Sequence, residues 1–304
     1  MKIGVVANQT KPGTAAVVAE LHDRARSHRL AFLYDEETAP LLNRKRKKGE
    51  KAVKGLPLAA LAKKIDLLLV IGGDGSLLRV VHGIYPSPVP ILGVNLGRLG
   101  FLTALRRDEL DTVFSALLEK RLRISPRHPL SVRVFSGKKG RGGKKAVRSY
   151  PCALNEIVLS RSGSRMSLIR LEADGAFVNE YIADGLILAT ATGSTAYSLA
   201  AGGPILTPEA GGIFVNPICP HTLSNRGLLL PGEAVVRVMV PSAHEPVTLL
   251  YDGVSGGSVG PDDIVELKTS KHPVNLAFLR ERDFFQILRQ KLRWSGAAAP
   301  AEGL

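Results

Sequence analysis

The chain has 304 residues, 45% of them hydrophobic, enough for more than one core, and no apolar run approaches the length that crosses a membrane. Its formal net charge is +14, yet residues 44–54 and 138–148 carry +6 each and leave +2 for the rest. The excess therefore marks two Gly/Lys/Arg-rich loops without interleaved aromatics, which argues against nucleic acid as a partner; they read as solvated loops or, functionally, as attracting an anionic ligand such as polyphosphate. The two cysteines, Cys152 and Cys219, are far apart and apolar-flanked, and are expected as buried free thiols. "MKIGVVANQT" has no long apolar h-region, so a cytoplasmic location is expected.

In chain order, "KIGVVA" reads as a buried strand. Residues 14–28 follow as a helix, with Thr14 as its N-cap and Val17, Val18 and Leu21 on its apolar face. "LAFLYDE" is a second strand and "LPLAALAKK" a short helix with Pro57 in its first turn. "IDLLLVIGG" is a third strand, apolar on both faces as in the middle of a parallel sheet. "SLLRVVHG" opens a helix, "VPILGVN" is a fourth strand, and "RDELDTVFSALLEK" is a helix with an acidic first turn. Strand–helix alternation implies a parallel sheet covered by helices. Beyond residue 122 short alternating strands take over: "LSVRVFSG", "CALNEIVLSR", then "SLIRLEADGAFVNEYIADGLILAT" with a hairpin at Asp174-Gly175. "GIFVNPI", "AVVRVMVP", "PVTLLYDG", "DIVELKT" and "VNLAFL" continue the series, interrupted by the helix-like "GSTAYSLAAGG". "DFFQILRQKLRW" is an amphipathic helix. The expected division is an α/β domain of residues 1–122 with 280–304, and an all-β domain of residues 123–279.

Within "LLLVIGGDGSLLRVV", Gly72, Gly73, Asp74 and Gly75 follow a buried parallel strand and precede a helix. Ligands of open α/β sheets sit at such strand ends. Glycines let backbone N–H groups touch a phosphate, and the helix N-terminus adds partial positive charge. A carboxylate beside phosphates needs a task, either holding Mg²⁺ or taking a proton from a hydroxyl that attacks phosphorus. Both belong to phosphoryl transfer to an alcohol. The alternative is a tight turn in which Asp74 caps the helix. The spacing fits neither a Walker A loop nor GxGxxG. Four further stretches stand out: "LGVNLGRLGFLT", Asn155-Glu156 in "ALNEIVLSR", "YIADGLILATATGSTAYSLAAGGP" and "ICPHTLSNRGLLLP".

Together these stretches resemble the NAD kinase family, from residue 1 to about 295. GGDG alone is shared with diacylglycerol and sphingosine kinases; its combination with Asn-Glu and TGSTAYSLAAGGP is far more specific to NAD kinases. The resemblance implies an α/β domain (a Rossmann-like parallel sheet), an all-β domain, and NAD held in the cleft between them. It implies transfer of phosphate from ATP, with Mg²⁺ carried by the nucleotide and no protein metal site, to the 2′-hydroxyl of the adenosine ribose of NAD. Inorganic polyphosphate is a further candidate donor. By the same resemblance Asp74 is the catalytic base and Gly72, Gly73 and Gly75 contact phosphates. Arg79 lies near the nucleotide and Phe101 against the adenosine. Asn155 and Glu156 hydrogen-bond the dinucleotide, Asp184 contacts NAD, and Thr195, Ala196 and Tyr197 lie along it. Arg165 is a weaker contact, and His221 is structural. A homodimer or homotetramer is implied, a neighbouring chain completing the site. Two departures stand out: Ser76 where threonine is usual, and Ala191 where proline is usual, the latter loosening the approach to residues 193–197. A lipid kinase and a non-enzymatic nucleotide-binding protein are the rival readings. The first needs an apolar entry; the second leaves Asp74 unexplained.

Overall fold

Five consecutive buried residues, Leu67–Ile71, make the centre of a parallel sheet whose two faces are both covered. The computed structural model describes residues 1–44, 51–97, 99–103, 105–119, 121–136, 146–241 and 247–294. Most of the two basic segments, 45–50 and 137–145, lies outside the described residues. By its contacts the chain divides into two compact units, Met1–Pro126 with Val274–Leu304, and Arg127–Pro273.

The first unit begins β1 (Lys2–Ala7), α1 (Thr14–Ser27), β2 (Ala31–Asp35), α2 (Ala39–Asn43), β3 (Gly55–Leu56) and α3 (Leu58–Ala62). It continues with β4 (Leu67–Ile71), α4 (Asp74–Ile84), β5 (Ile91–Asn95), β6 (Leu105–Arg106), α5 (Leu110–Leu118) and β7 (Leu122–Arg127). Thr14 does not cap α1. Gly13 does, in the left-handed region at φ 81°, while the Thr14 hydroxyl donates to the carbonyls of Asn8 and Lys11 at 2.8 and 2.9 Å. The turn needs a residue free to take positive φ, and only the glycine supplies that cheaply. Helix α4 buries Leu77, Val80, Val81 and Ile84, the i, i+3, i+4, i+7 stripe that lays a helix on a sheet.

The second unit holds β8 (Leu130–Ser136), β9 (Ala146–Ala153), β10 (Glu156–Arg161), β11 (Ser167–Ala173), β12 (Ala176–Ala183) and β13 (Gly185–Ala189). After these come α6 (Tyr197–Ala200), β14 (Ile213–Ile218), β15 (Leu228–Leu230), β16 (Val236–Met239), β17 (Val247–Tyr251), β18 (Val254–Val259) and β19 (Asp263–Thr269). They form two antiparallel six-stranded sheets, ordered β15-β14-β13-β10-β17-β18 and β12-β11-β16-β19-β8-β9. Alternate residues of both, such as Val132, Ile157, Ile169, Leu188, Leu249 and Val265, share one core, the pattern of a sandwich. The outer face of the first sheet is covered too: Val158, Ile187, Ala189 and Phe214 pack against Ala201 and Leu206. That is why β13 is buried at every position.

Two long strands expected from the sequence are each divided where the chain changes sheet. "CALNEIVLSR" breaks at Leu154-Asn155 between β9 and β10, and the run after the Asp174-Gly175 hairpin breaks at Asp184 between β12 and β13. The hairpin itself forms, with φ 50° and 82° at its two turn residues. Cys219 is exposed rather than buried, standing at φ 44° just past the end of β14, whereas Cys152 is buried as expected.

The chain then returns to the first unit as β20 (Val274–Leu279) and α7 (Phe284–Leu292). "VNLAFL", expected among the β-domain strands, runs parallel to β5 inside the first sheet, whose order is β3-β2-β1-β4-β5-β20-β7 with β6 alongside β5. Five of its six residues are buried, which suits a position covered on both faces better than an alternating antiparallel strand. Asp283 caps α7: its Oδ1 accepts from Gln286 N at 2.7 Å, and the Gln286 side chain accepts from Asp283 N. No helix among the described residues is long and apolar enough to cross a membrane.

Candidate active site

Asp74 opens α4, but it does not cap it: Gly73 is the N-cap, and the first i→i−4 bond runs from Leu77 N to Gly73 O at 3.1 Å. The carboxylate turns instead to the segment after β5. Oδ2 accepts from Phe101 N at 2.9 Å, and Oδ1 from Leu102 N at 3.2 Å, Thr103 N at 2.9 Å and Thr103 Oγ1 at 2.7 Å. Asn95 Nδ2 in turn donates to Thr103 Oγ1 at 3.0 Å. A Cβ at Gly100 would overlap Asp74 Oδ1, so glycine is what lets this backbone close on the carboxylate. Oδ1 is saturated; Oδ2 keeps a lone pair.

The glycines differ in what they allow. A Cβ on Gly72 would meet the Ser76 hydroxyl, which itself accepts from Asn8 Nδ2 at 3.0 Å. One on Gly73 would stand 3.1 Å from Lys11 Nζ, and Gly75 is open. Asp74 N and Gly75 N, ahead of the first helical bond, are first-turn donors available to a ligand. Phe101 is half-buried, with Lys291 Nζ 5.3 Å from its ring centroid. Arg79 is exposed and bound to Glu37 at 2.9 Å. Thus Gly72, Gly73, Asp74, Gly75 and Phe101 come together, and Arg79 stands on the solvent side of α4.

In the second unit a second carboxylate plays the same geometric part. Asp252 accepts from Leu154 N, Asn155 N and Glu156 N at 2.7, 2.7 and 3.1 Å, pinning the chain where it leaves β9 for β10. Thr190 holds the same point from the other side: its hydroxyl donates to Leu154 O at 2.7 Å and accepts from Gly193 N at 3.0 Å. A Cβ on Gly193 would overlap Asn155 O. The 190–197 segment is thereby docked on the Asn-Glu pair, and Ser194, donating to Ala191 O at 2.7 Å, supplies the tether at the position where proline is usual. Thr195 ends a 3-10 turn with its hydroxyl on Thr192 O, Ala196 links to α6, and Tyr197 is exposed.

Glu156 is 6% exposed and its Oε2 has no hydrogen-bond partner. Burial, with the Asp252 carboxylate beside it, pushes its carboxyl up to about 7, against the pull of the Tyr197 N–H. It is therefore poised between donor and acceptor near neutral pH.

Asp184 and Arg165 do not join Asn155 and Glu156. Glu156 pairs with Ala189 and Ser160 with Gly185, so Asp184, one residue before Gly185, lies past the opposite end of the β10–β13 ladder, roughly 17 Å away along the strand at ~3.3 Å per residue. Its Oδ1 lies 2.6 Å from Arg161 Nε, an ion pair without hydrogen-bond alignment. Arg165 is exposed in the turn before β11. His221 is exposed, and its N–H donates to Ile182 O. Sequence reasoning missed Gly100, Thr103 and Asp252. The glycines around Arg98 hinted at the first two; Asp252-Gly253 reads only as a turn.

Comparison with known proteins follows the same division. Residues 3–122 match the model of the ATP-NAD kinase N-terminal domain, and residues 154–279 that of the C-terminal domain. The chain is 36% identical to an NAD kinase of Methylococcus capsulatus over 296 residues, covering 96% of this chain and 97% of that one. It is 41% identical to an NAD kinase of Caldicellulosiruptor bescii over 231 residues, 76% of this chain and 84% of that one. Among solved structures it resembles yeast NADH kinase complexed with NADH, with a TM-score of 0.84 and 25% identity, over 98% of this chain and 89% of that one. An NAD kinase from Archaeoglobus fulgidus in complex with ATP shares the fold at a TM-score of 0.70 and 24% identity, over 97% of this chain and 100% of that one. Two domain models matched in order, with relatives this similar along nearly the whole length, establish that the chain belongs to the NAD kinase family.

Proposed function

We propose that the chain transfers the terminal phosphoryl group of ATP to the 2′-hydroxyl of the adenosine ribose of NAD, giving NADP. Asp74 accepts the hydroxyl proton through Oδ2 as the ribose oxygen forms its bond to phosphorus. The bond from phosphorus to the bridging oxygen breaks and ADP leaves. The observation that carries this reading is the Asp74 carboxylate, fixed by four donors with one lone pair left, at the mouth of a glycine loop and a helix N-terminus. Gly72, Gly73 and Gly75 let the donor phosphates approach the backbone. Phe101 offers its ring to the adenosine. Asn155 and Glu156 supply an amide and a carboxyl for the dinucleotide's polar edges, and Thr195, Ala196 and Tyr197 flank them. Arg79 acts from the rim.

No group of three or more His, Cys, Asp or Glu side chains is placed to hold a metal ion among the described residues. A magnesium ion travelling on the nucleotide's phosphates would neutralise their charge. The distance between Asp184 and Glu156 supports a homo-oligomer, with Asp184 and Arg165 reaching the dinucleotide of a neighbouring copy. A cytoplasmic setting fits this activity.

The test is incubation with MgATP and NAD, followed by an NADP-specific dehydrogenase and detection of NADPH. Asp74→Asn should lose roughly 10²-fold or more of kcat with its unfolding midpoint preserved. Full activity in that variant would remove Asp74 from the chemistry. Turnover with inorganic polyphosphate against ATP separates the two candidate donors.

A further inference from the structure

The parallel sheet reverses its growth between β1 and β4. Strands β2 and β3 are added on one side of β1, and β4 and β5 on the other. With right-handed crossovers, the helices that follow β1 and β4 leave on opposite faces, and the two loops part at the carboxyl ends of the strands. One loop is Asn8–Gly13, leading into α1; the other is Gly72-Gly73, leading into α4. Lys11 bridges them. Its Nζ lies 3.1 Å from where a Cβ on Gly73 would stand, and Asn95 Nδ2 lies 3.7 Å from the same point.

Lys11 is half-buried, and its ammonium makes no ion pair or hydrogen bond among the described residues. Donors converge on the same point: the Asn95 amide N–H, which also serves Thr103, and the first-turn N–H groups of α4. The Asp74 carboxylate, which follows Gly73 in the chain, is turned to the 101–103 backbone. A second cation without a partner among the described residues, Arg107, has Nη1 3.7 Å from the Cβ position of Gly13 on the same loop. An ammonium held half out of water among donors lacks an anion, and the helix N-terminus beside it calls for the same one.

We propose that Lys11 is a donor-binding residue that contacts the terminal phosphates of the nucleotide triphosphate across the crevice between β1 and β4, opposite the N–H groups of Asp74 and Gly75. The assignment deepens the phosphotransfer reading and rests on it. In this arrangement Gly73 has a second reason to be glycine, since any side chain there would displace the ammonium from the phosphates.

The experiment compares wild type with Lys11→Met and Lys11→Arg in steady-state kinetics, varying MgATP and NAD separately. It adds a direct titration of each protein with MgATP in the absence of NAD. Loss of a charge-assisted hydrogen bond should weaken MgATP binding and raise its KM by about 10- to 100-fold in Lys11→Met. The KM for NAD should stay within about 2-fold, and Lys11→Arg should recover most of the donor affinity. Unchanged MgATP affinity in Lys11→Met overturns the proposal. So does an equal rise in both KM values in both variants, which marks a structural role. A wild type that forms no NADP defeats the phosphotransfer reading instead, and the MgATP titration still decides for or against Lys11.

Discussion

Two aspartates in this chain do the same mechanical work. Asp74 gathers the N–H groups of residues 101–103 and Asp252 those of residues 154–156. Each carboxylate thereby fixes a loop that carries other site residues, and each would leave three N–H groups without acceptors if it were cut back to alanine. The sequence made the first legible and hid the second. Asp74 sits among glycines at a strand end, a setting that suits a bound phosphate as well as a helix cap. Asp252 precedes Gly253 in a tight turn with φ 45° and 79°, and the turn alone accounts for both residues. Asp252 also leaves a mark on Glu156, whose carboxyl burial and that neighbour raise from 4.5 to about 7. In the unfolded chain this group ionises near 4.5, while the folded protein keeps its proton until about 7. Folding stability therefore falls as pH climbs through that interval and levels off above it. Glu156→Gln removes the titration, so its stability relative to wild type should improve by up to about 3 kcal/mol between pH 5 and pH 7.5. Urea unfolding at the two pH values measures this, and parallel curves for the two proteins would refute it.

Among the elements, periodicity located most segments and misjudged some of their partners. The stripe of α4 and the apolar run of β4 are both written in the residues that bury them. Strand β18 escaped notice because its "VSGGSV" carries two glycines where a strand usually carries branched side chains; the Asp252-Gly253 turn folds it back on β17 regardless. Strand β20 was visible as a strand, but its neighbours in sequence are antiparallel and nothing local says that it crosses back to pair with β5. That pairing is a matter of long-range closure, which a period cannot encode. Leu276, fully buried and in register with Ile91, is where the crossing is anchored. Leu276→Ala should cost about 2 to 5 kcal/mol by cavity formation. Chemical denaturation should show it as a lower midpoint, and a loss below about 0.5 kcal/mol would mean that β20 is dispensable to the sheet.

At the scale of the molecule, composition excluded a membrane-spanning helix and argued against a nucleic-acid binder, and strand–helix alternation giving way to strands alone announced two architectures. The first unit is assembled from two separated stretches of chain, residues 1–126 and 274–304, while the second is one continuous run. On the ribosome, the parallel sheet cannot be completed until residue 279 has cleared the exit tunnel, because β20 lies between β5 and β7. The sandwich, made of residues 130–269, suffers no such delay. Protease digestion of chains arrested at increasing lengths should find the sandwich resistant while residues 67–95 are still cut; early resistance of those residues would contradict this order. The half translated first thus matures last, and every nascent copy spends part of its synthesis with a ready-made sandwich and an unfinished phosphate loop.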